Sequence, residues 1–123
     1  MKILNRLISL YQKGDLQNAL KLAELLIEKN PEIAKIHNFL GLINSSLYKN
    51  EESLKNFSKA IEIKKNYAEA HNNRGVLLHQ MGRFKEASKE FNKAIHEYTK
   101  AIECDKYNHT LKAIEINPSF IKS

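Results

Sequence analysis

The chain has 123 residues, 42% of them apolar, with four glycines, two prolines and one cysteine. That composition suits one packed domain and disfavours β-rich, disordered and disulfide-stapled designs; no stretch approaches the roughly 20 apolar residues of a membrane-spanning helix. The net charge of +6 comes mostly from lysines scattered among glutamates, with only Arg6, Arg74 and Arg83 as arginines, so it reads as a solvated surface, with no nucleic acid expected as a partner.

In chain order, Ile3, Leu7 and Leu10 mark one face of a first helix ending near Gly14. Gly14-Asp15 predicts a turn, with the glycine in a left-handed C-terminal cap and the aspartate capping the next helix. Leu16, Ala19, Leu20, Ala23, Leu26 and Ile27 form the apolar face of a second helix, which Asn30-Pro31 stops. A third helix from Ala34 leads to a turn at Tyr48-Lys49-Asn50, and a fourth runs from Glu51 to about Lys64. A fifth spans Ala68 to Met81, and after Gly82-Arg83 a sixth starts at Phe84.

This order is a repeat. Shifted by 34 residues, Ala34, His37, Asn38 and Gly41 fall on Ala68, His71, Asn72 and Gly75, and Glu52, Lys55, Phe57, Lys59, Ala60 and Ile61 fall on Glu86, Lys89, Phe91, Lys93, Ala94 and Ile95. One step back, Gly14, Ala19 and Ile27 take the places of Gly82, Ala87 and Ile95. The units are residues 1–33, 34–67 and 68–101, followed by an irregular tail, 102–123. Gly41, Gly75, Ala19, Ala60, Ala87 and Ala94 sit where paired helices cross, and larger side chains would hold them apart.

His37-x-x-Leu40-Gly41, His71-x-x-Arg74-Gly75, Ala87-x-x-x-Phe91, Ser53-x-x-x-Phe57 and the closing Pro31 resemble the tetratricopeptide (TPR) pattern, and the likeness covers residues 1 to about 95. The resemblance implies an all-α fold, an α-solenoid of three helix-turn-helix units in one domain, and protein–protein interaction as the function. Lys65 and Thr99 stand where the family closes a unit with proline, so the last helix is expected to overrun. Phe91-Asn-Lys-Ala-Ile95 recurs seven residues later as Tyr98-Thr-Lys-Ala-Ile102, which predicts one extended helix from Phe84 to about Cys104. Asp105-Lys106-Tyr107-Asn108 is expected to break it, leaving 110–116 as a short C-terminal helix folded back as a partial cap, with Asn117-Pro118 ending it.

The five histidines and Cys104 suggest no chemistry. His37 and His71 occupy packing positions; His79, His96 and His109 lack ligand spacing, and no nucleophile acquires a base. No catalytic, cofactor or metal site is expected, and the absence of an address signal points to the cytoplasm. The resemblance implies instead a concave groove on the first helices, holding a peptide or partner helix. Its residues here are Asn38, Phe39, Leu42, Ser45, Asn72, Asn73, Val76 and His79. Asparagine amides both donate and accept, so they can grip any peptide backbone. Ile3, Leu4, Leu7, Ile8, Leu10 and Tyr11 make the first helix apolar almost all round, and Leu4, Ile8 and Tyr11 suggest a greasy groove end or an interface with another chain, including a second copy. The subclass of the family that clamps acidic chaperone tails needs Lys and Asn where Leu4 and Ile8 stand, and Lys where Glu69 stands, so such tails are not expected ligands. Two other readings are compatible with the sequence. Leu10-Tyr11-Gln12-Lys13-Gly14-Asp15-Leu16, continuing to Pro31, resembles TPR regions that precede bacterial glycosyl- or sulfotransferase domains, and the array could serve as a self-assembling scaffold.

Overall fold

A computed structural model describes the backbone of residues 2–116 and the side chains of residues 2–103. Six helices follow one another: α1 (Lys2–Gln12), α2 (Leu16–Lys29), α3 (Ala34–Ser46), α4 (Asn50–Ile63), α5 (Ala68–Gln80) and α6 (Phe84–Ile116). Each packs against the next in sequence. First helices α3 and α5 also touch directly, whereas no comparable packing joins α2 to α4 or α4 to α6 among the described residues. The first helices α3 and α5 therefore lie side by side on one face of the solenoid.

The helix crossings explain the small residues. A Cβ on Gly41 would lie 2.5 Å from the Phe57 ring, and one on Gly75 2.8 Å from the Phe91 ring. Ala19, Ala60, Ala87 and Ala94 are likewise buried. Ser53, which replaces the pattern's alanine in the second unit, donates its buried hydroxyl to the Gly41 carbonyl at 2.7 Å. The core of the first unit joins Leu7, Ala19, Ala23 and Leu26 to Ile36, Leu40 and Ile43 of α3, so each unit completes its core with its neighbour.

The three intra-unit turns are built alike. The N–H groups of Asp15, Lys49 and Arg83 reach back to the carbonyls of Leu10, Asn44 and Leu78 at 2.8–3.0 Å, the bond of a helix ending in a left-handed residue. Gly14 and Gly82 supply that residue at φ 78° and 79°. In the second unit it is Tyr48, at φ 62° and 88% exposed. A tyrosine held there costs roughly 1–2 kcal/mol that glycine avoids. Tyr48→Gly is therefore expected to stabilise the protein by about 1 kcal/mol, part of the relief being offset by the freer unfolded chain, read as an upward shift of the thermal midpoint. Asp15 does not cap α2 as expected; its carboxylate instead accepts from the Asn18 side chain at 2.9 Å.

The C-terminal expectation needs correction. α6 does not break at Asp105–Asn108, and no separate helix folds back over 110–116; one helix of 33 residues runs to Ile116. Asp and Asn are weak helix formers, but each costs only a fraction of a kcal/mol, and neither Gly nor Pro interrupts the ladder there. The Asn117-Pro118 stop lies outside the described residues.

Candidate functional site

The repeat places Leu4, Asn38 and Asn72 at one position of the three first helices, Ile8, Leu42 and Val76 at a second, and Tyr11, Ser45 and His79 at a third. Asn5, Phe39 and Asn73 form the adjoining set. The residues singled out as a groove and those singled out as an apolar patch therefore belong to one surface. Tyr11 meets Phe39 edge-on, with ring centroids 6.2 Å apart, which joins α1 to α3. Asn73 donates its amide to the Asn38 side chain at 3.1 Å, which joins α3 to α5. His79 packs edge-on against Phe84 at 5.0 Å.

Asn38 differs from the rest. It is 1% exposed, with its oxygen bound by Asn73 and its amide against the Tyr67 hydroxyl. It holds its neighbours in place and is not open to a ligand. Burial, reinforced by the Glu69 carboxylate, pushes the Tyr67 phenol up. Phe39, Leu42, Ser45, Asn72 and Asn73 are half-buried, while Val76 and His79 are exposed. The surface thus grades from apolar at α1 to polar at α5. Beside Leu4 a recess of about 330 Å³ opens, lined by Ile3, Leu4, Leu26 and Ile36 with Lys2 and Asn30 at its rim.

Beneath the surface lies a polar network that sequence reasoning did not find. His37 and His71 are buried, as their packing positions required, and each places Nε2 on the carbonyl that ends the preceding unit, at Pro31 (2.8 Å) and Lys65 (2.9 Å). Only a carbonyl is needed there, so the proline is dispensable in the second unit. His71 also puts Nδ1 2.8 Å from the Glu90 carboxylate. Arg74 donates to the other Glu90 oxygen at 2.6 Å and to the Ser58 hydroxyl at 3.1 Å. Burial pushes the Glu90 carboxyl up, but hydrogen bonds from Arg74 and His71 outweigh it and hold the group below 4.5. The signal was a paired departure: Arg74 stands where the second unit has Leu40, and Glu90 where it has Asn56. Among the described residues no group of three His, Cys, Asp or Glu is placed to hold a metal ion, and no helix is long and apolar enough to cross a membrane.

Paired helices stacked at a fixed period, with a graded inner surface and a tied polar interior, define an α-solenoid interaction module. Family models described as "TPR repeat" and "Tetratricopeptide repeat" match residues 48–82 and 68–99, so the second and third units are tetratricopeptide repeats. No curated protein matches the sequence. Among solved structures the chain is similar to MamA, at TM-score 0.74 and 24% identity over 79% of this chain and 57% of that one. It is similar to MamA from Desulfovibrio magneticus RS-1 at TM-score 0.75 and 18% identity, over 80% and 55% of the two chains. The second TPR of Spaghetti (RPAP3) bound to the HSP90 peptide SRMEEVD aligns at TM-score 0.71 and 21% identity, over 74% and 84%. The chain thus spans little more than half the length of the MamA structures it matches.

Proposed function

We propose that the inner surface of α1, α3 and α5 binds a segment of another protein, anchoring apolar side chains at the α1 end and holding backbone groups at the α5 end. The continuity of Leu4, Ile8, Tyr11, Phe39, Leu42 and Val76 across three first helices carries this reading. These side chains offer the burial that supplies most binding energy, roughly 25 cal/mol per Å² of apolar surface. Asn72 and Asn73, with Ser45 and His79, add donors and acceptors at the same face. The recess beside Leu4 fits one aliphatic or aromatic anchor. The structurally similar second TPR of Spaghetti is bound to a peptide, which supports peptide binding as the mode, but not the same ligand. Leu4 and Ile8 offer no charge to a carboxylate, and Glu69 repels one.

Selection from a displayed peptide library tests the reading. Ligands rich in apolar side chains should emerge, and Leu42→Asp/Val76→Asp should weaken them at least tenfold, about 1.4 kcal/mol, with the thermal midpoint little changed. Unchanged affinity in that variant would remove the groove from the function. Micromolar binding of SRMEEVD by calorimetry would overturn the apolar assignment.

A further inference from the structure

A histidine ring has two nitrogens, and a neutral ring carries a proton on only one of them. His71 is 4% exposed, and each of its ring nitrogens meets an oxygen. Nε2 lies 2.9 Å from the Lys65 carbonyl, and Nδ1 lies 2.8 Å from a Glu90 carboxylate oxygen. A carbonyl only accepts, and so does an ionised carboxylate. A neutral His71 would therefore set a nitrogen lone pair against an oxygen lone pair, at hydrogen-bond distance and in a buried site. Moving the second proton to Glu90 would relieve that clash, but Arg74 opposes it. Its guanidinium donates to the other carboxylate oxygen at 2.6 Å and helps to hold the Glu90 carboxyl below its usual range. The second proton belongs on the ring.

We propose that His71 is a buried imidazolium whose second proton fastens the third repeat to the second, which makes that joint sensitive to pH. The ring ties together three segments: the turn after α4 through Lys65, α5 on which it stands, and α6 through Glu90. Loss of either proton releases one of those ties. Burial disfavours a charged ring, but a carboxylate in contact and hydrogen bonds made only by the charged form act the other way. Arg74 repels the ring, yet its own charge is paired with Glu90. The other ionisable groups nearby are Lys65, Lys93, His96 and Glu97, which line an open recess beside the ring. Lys65, Lys93 and His96 are exposed, so solvent and salt screen them, whereas Glu90 is buried and in direct contact. His37 is the comparison within the same chain. It fills the same place in the second unit, is 7% exposed, and sets Nε2 2.8 Å from the Pro31 carbonyl. Asn56 stands where the third unit has Glu90, and its oxygen accepts from Asn44 at 2.7 Å. Among the described residues only Nε2 of His37 has a hydrogen-bond partner, so one ring proton suffices there. The fold thus favours the doubly protonated form of His71 alone. Its stabilisation is complete below about 6.5, where the histidine of the unfolded chain is charged as well. It is lost as pH rises through the value at which folded His71 releases its second proton.

Nitrogen-15 NMR of the imidazole rings in the full chain tests this. At about pH 7.5, where an unperturbed histidine is mostly neutral, His71 should carry a proton on both ring nitrogens and His37 on one. Titrated upward, His71 should release its second proton at a hydrogen-ion concentration at least tenfold lower than His37 does. Glu90→Gln should bring the two rings together, because an amide can turn its N–H towards a neutral ring. Arg74→Leu/Glu90→Asn, which copies the second unit, should do the same and serves if the single variant does not fold. Urea denaturation in mildly alkaline solution should show the wild type losing stability with rising pH more steeply than that double variant. A His71 with one ring proton at about pH 7.5, a His71 that titrates together with His37, or a second proton that survives both substitutions would each overturn the proposal.

Discussion

Glu90→Ala is expected to destabilise the protein by about 3 kcal/mol, at the low end of the cost of breaking a buried ion pair because Arg74 still reaches solvent. The loss does not measure one hydrogen bond. Removing the carboxylate leaves His71 without its Nδ1 partner and Arg74 without its 2.6 Å contact, both at the joint between the second and third units. Unpaired buried polar groups, more than the missing attraction, set the cost. Arg74→Leu/Glu90→Asn, which copies Leu40 and Asn56 of the second unit, should therefore recover more than half of it. Chemical denaturation of the wild type, the single and the double variant gives the comparison; a double variant as weak as Glu90→Ala would mean that the network does more than satisfy itself.

Acid should act at the same place. Glu90 is held below 4.5 in the folded protein, so as pH falls the unfolded chain takes up its proton first. The contribution is present in full above about 4.5 and is lost as pH falls through the lower folded value. Below 4.5 the wild type should lose stability more steeply than Glu90→Gln.

What the sequence disclosed, it disclosed through the repeat. The spacing of His37 and His71, Gly41 and Gly75, and Gly14 and Gly82 gave the units, their turns and the close helix crossings, because those positions answer to sterics that recur every unit. It disclosed less where a residue's role depends on its partner. Asn38 is the same amide whether it faces a groove or a neighbouring asparagine, and only the placement of Asn73 and Tyr67 decides. Glu90 reads as one more glutamate on a charged helix until Arg74 and His71 are seen around it. The overrun of α6 was foreseen from the missing proline and the seven-residue echo, but its length was not. Asp105 and Asn108 weigh towards a break by tenths of a kcal/mol, and a helix already propagating continues against so small a bias.

The second large effect is expected at Phe57. Phe57→Ala should cost about 4 kcal/mol, within the range for deleting a buried aromatic ring. Gly41 gives the void no side chain to refill it, and α5 closes its outer side. Its repeat equivalent makes a control: Phe91→Ala removes the same ring from the same crossing against Gly75, but from a half-buried site, and should cost about half as much. The two also differ in reach. In a solenoid each unit is stabilised through its neighbours, so a defect in the central unit weakens the joints on both sides and should lower the cooperativity of unfolding, while one in the last unit frays a single end. Urea denaturation separates the cases. Equal costs there would mean that α6 is covered from within its own chain.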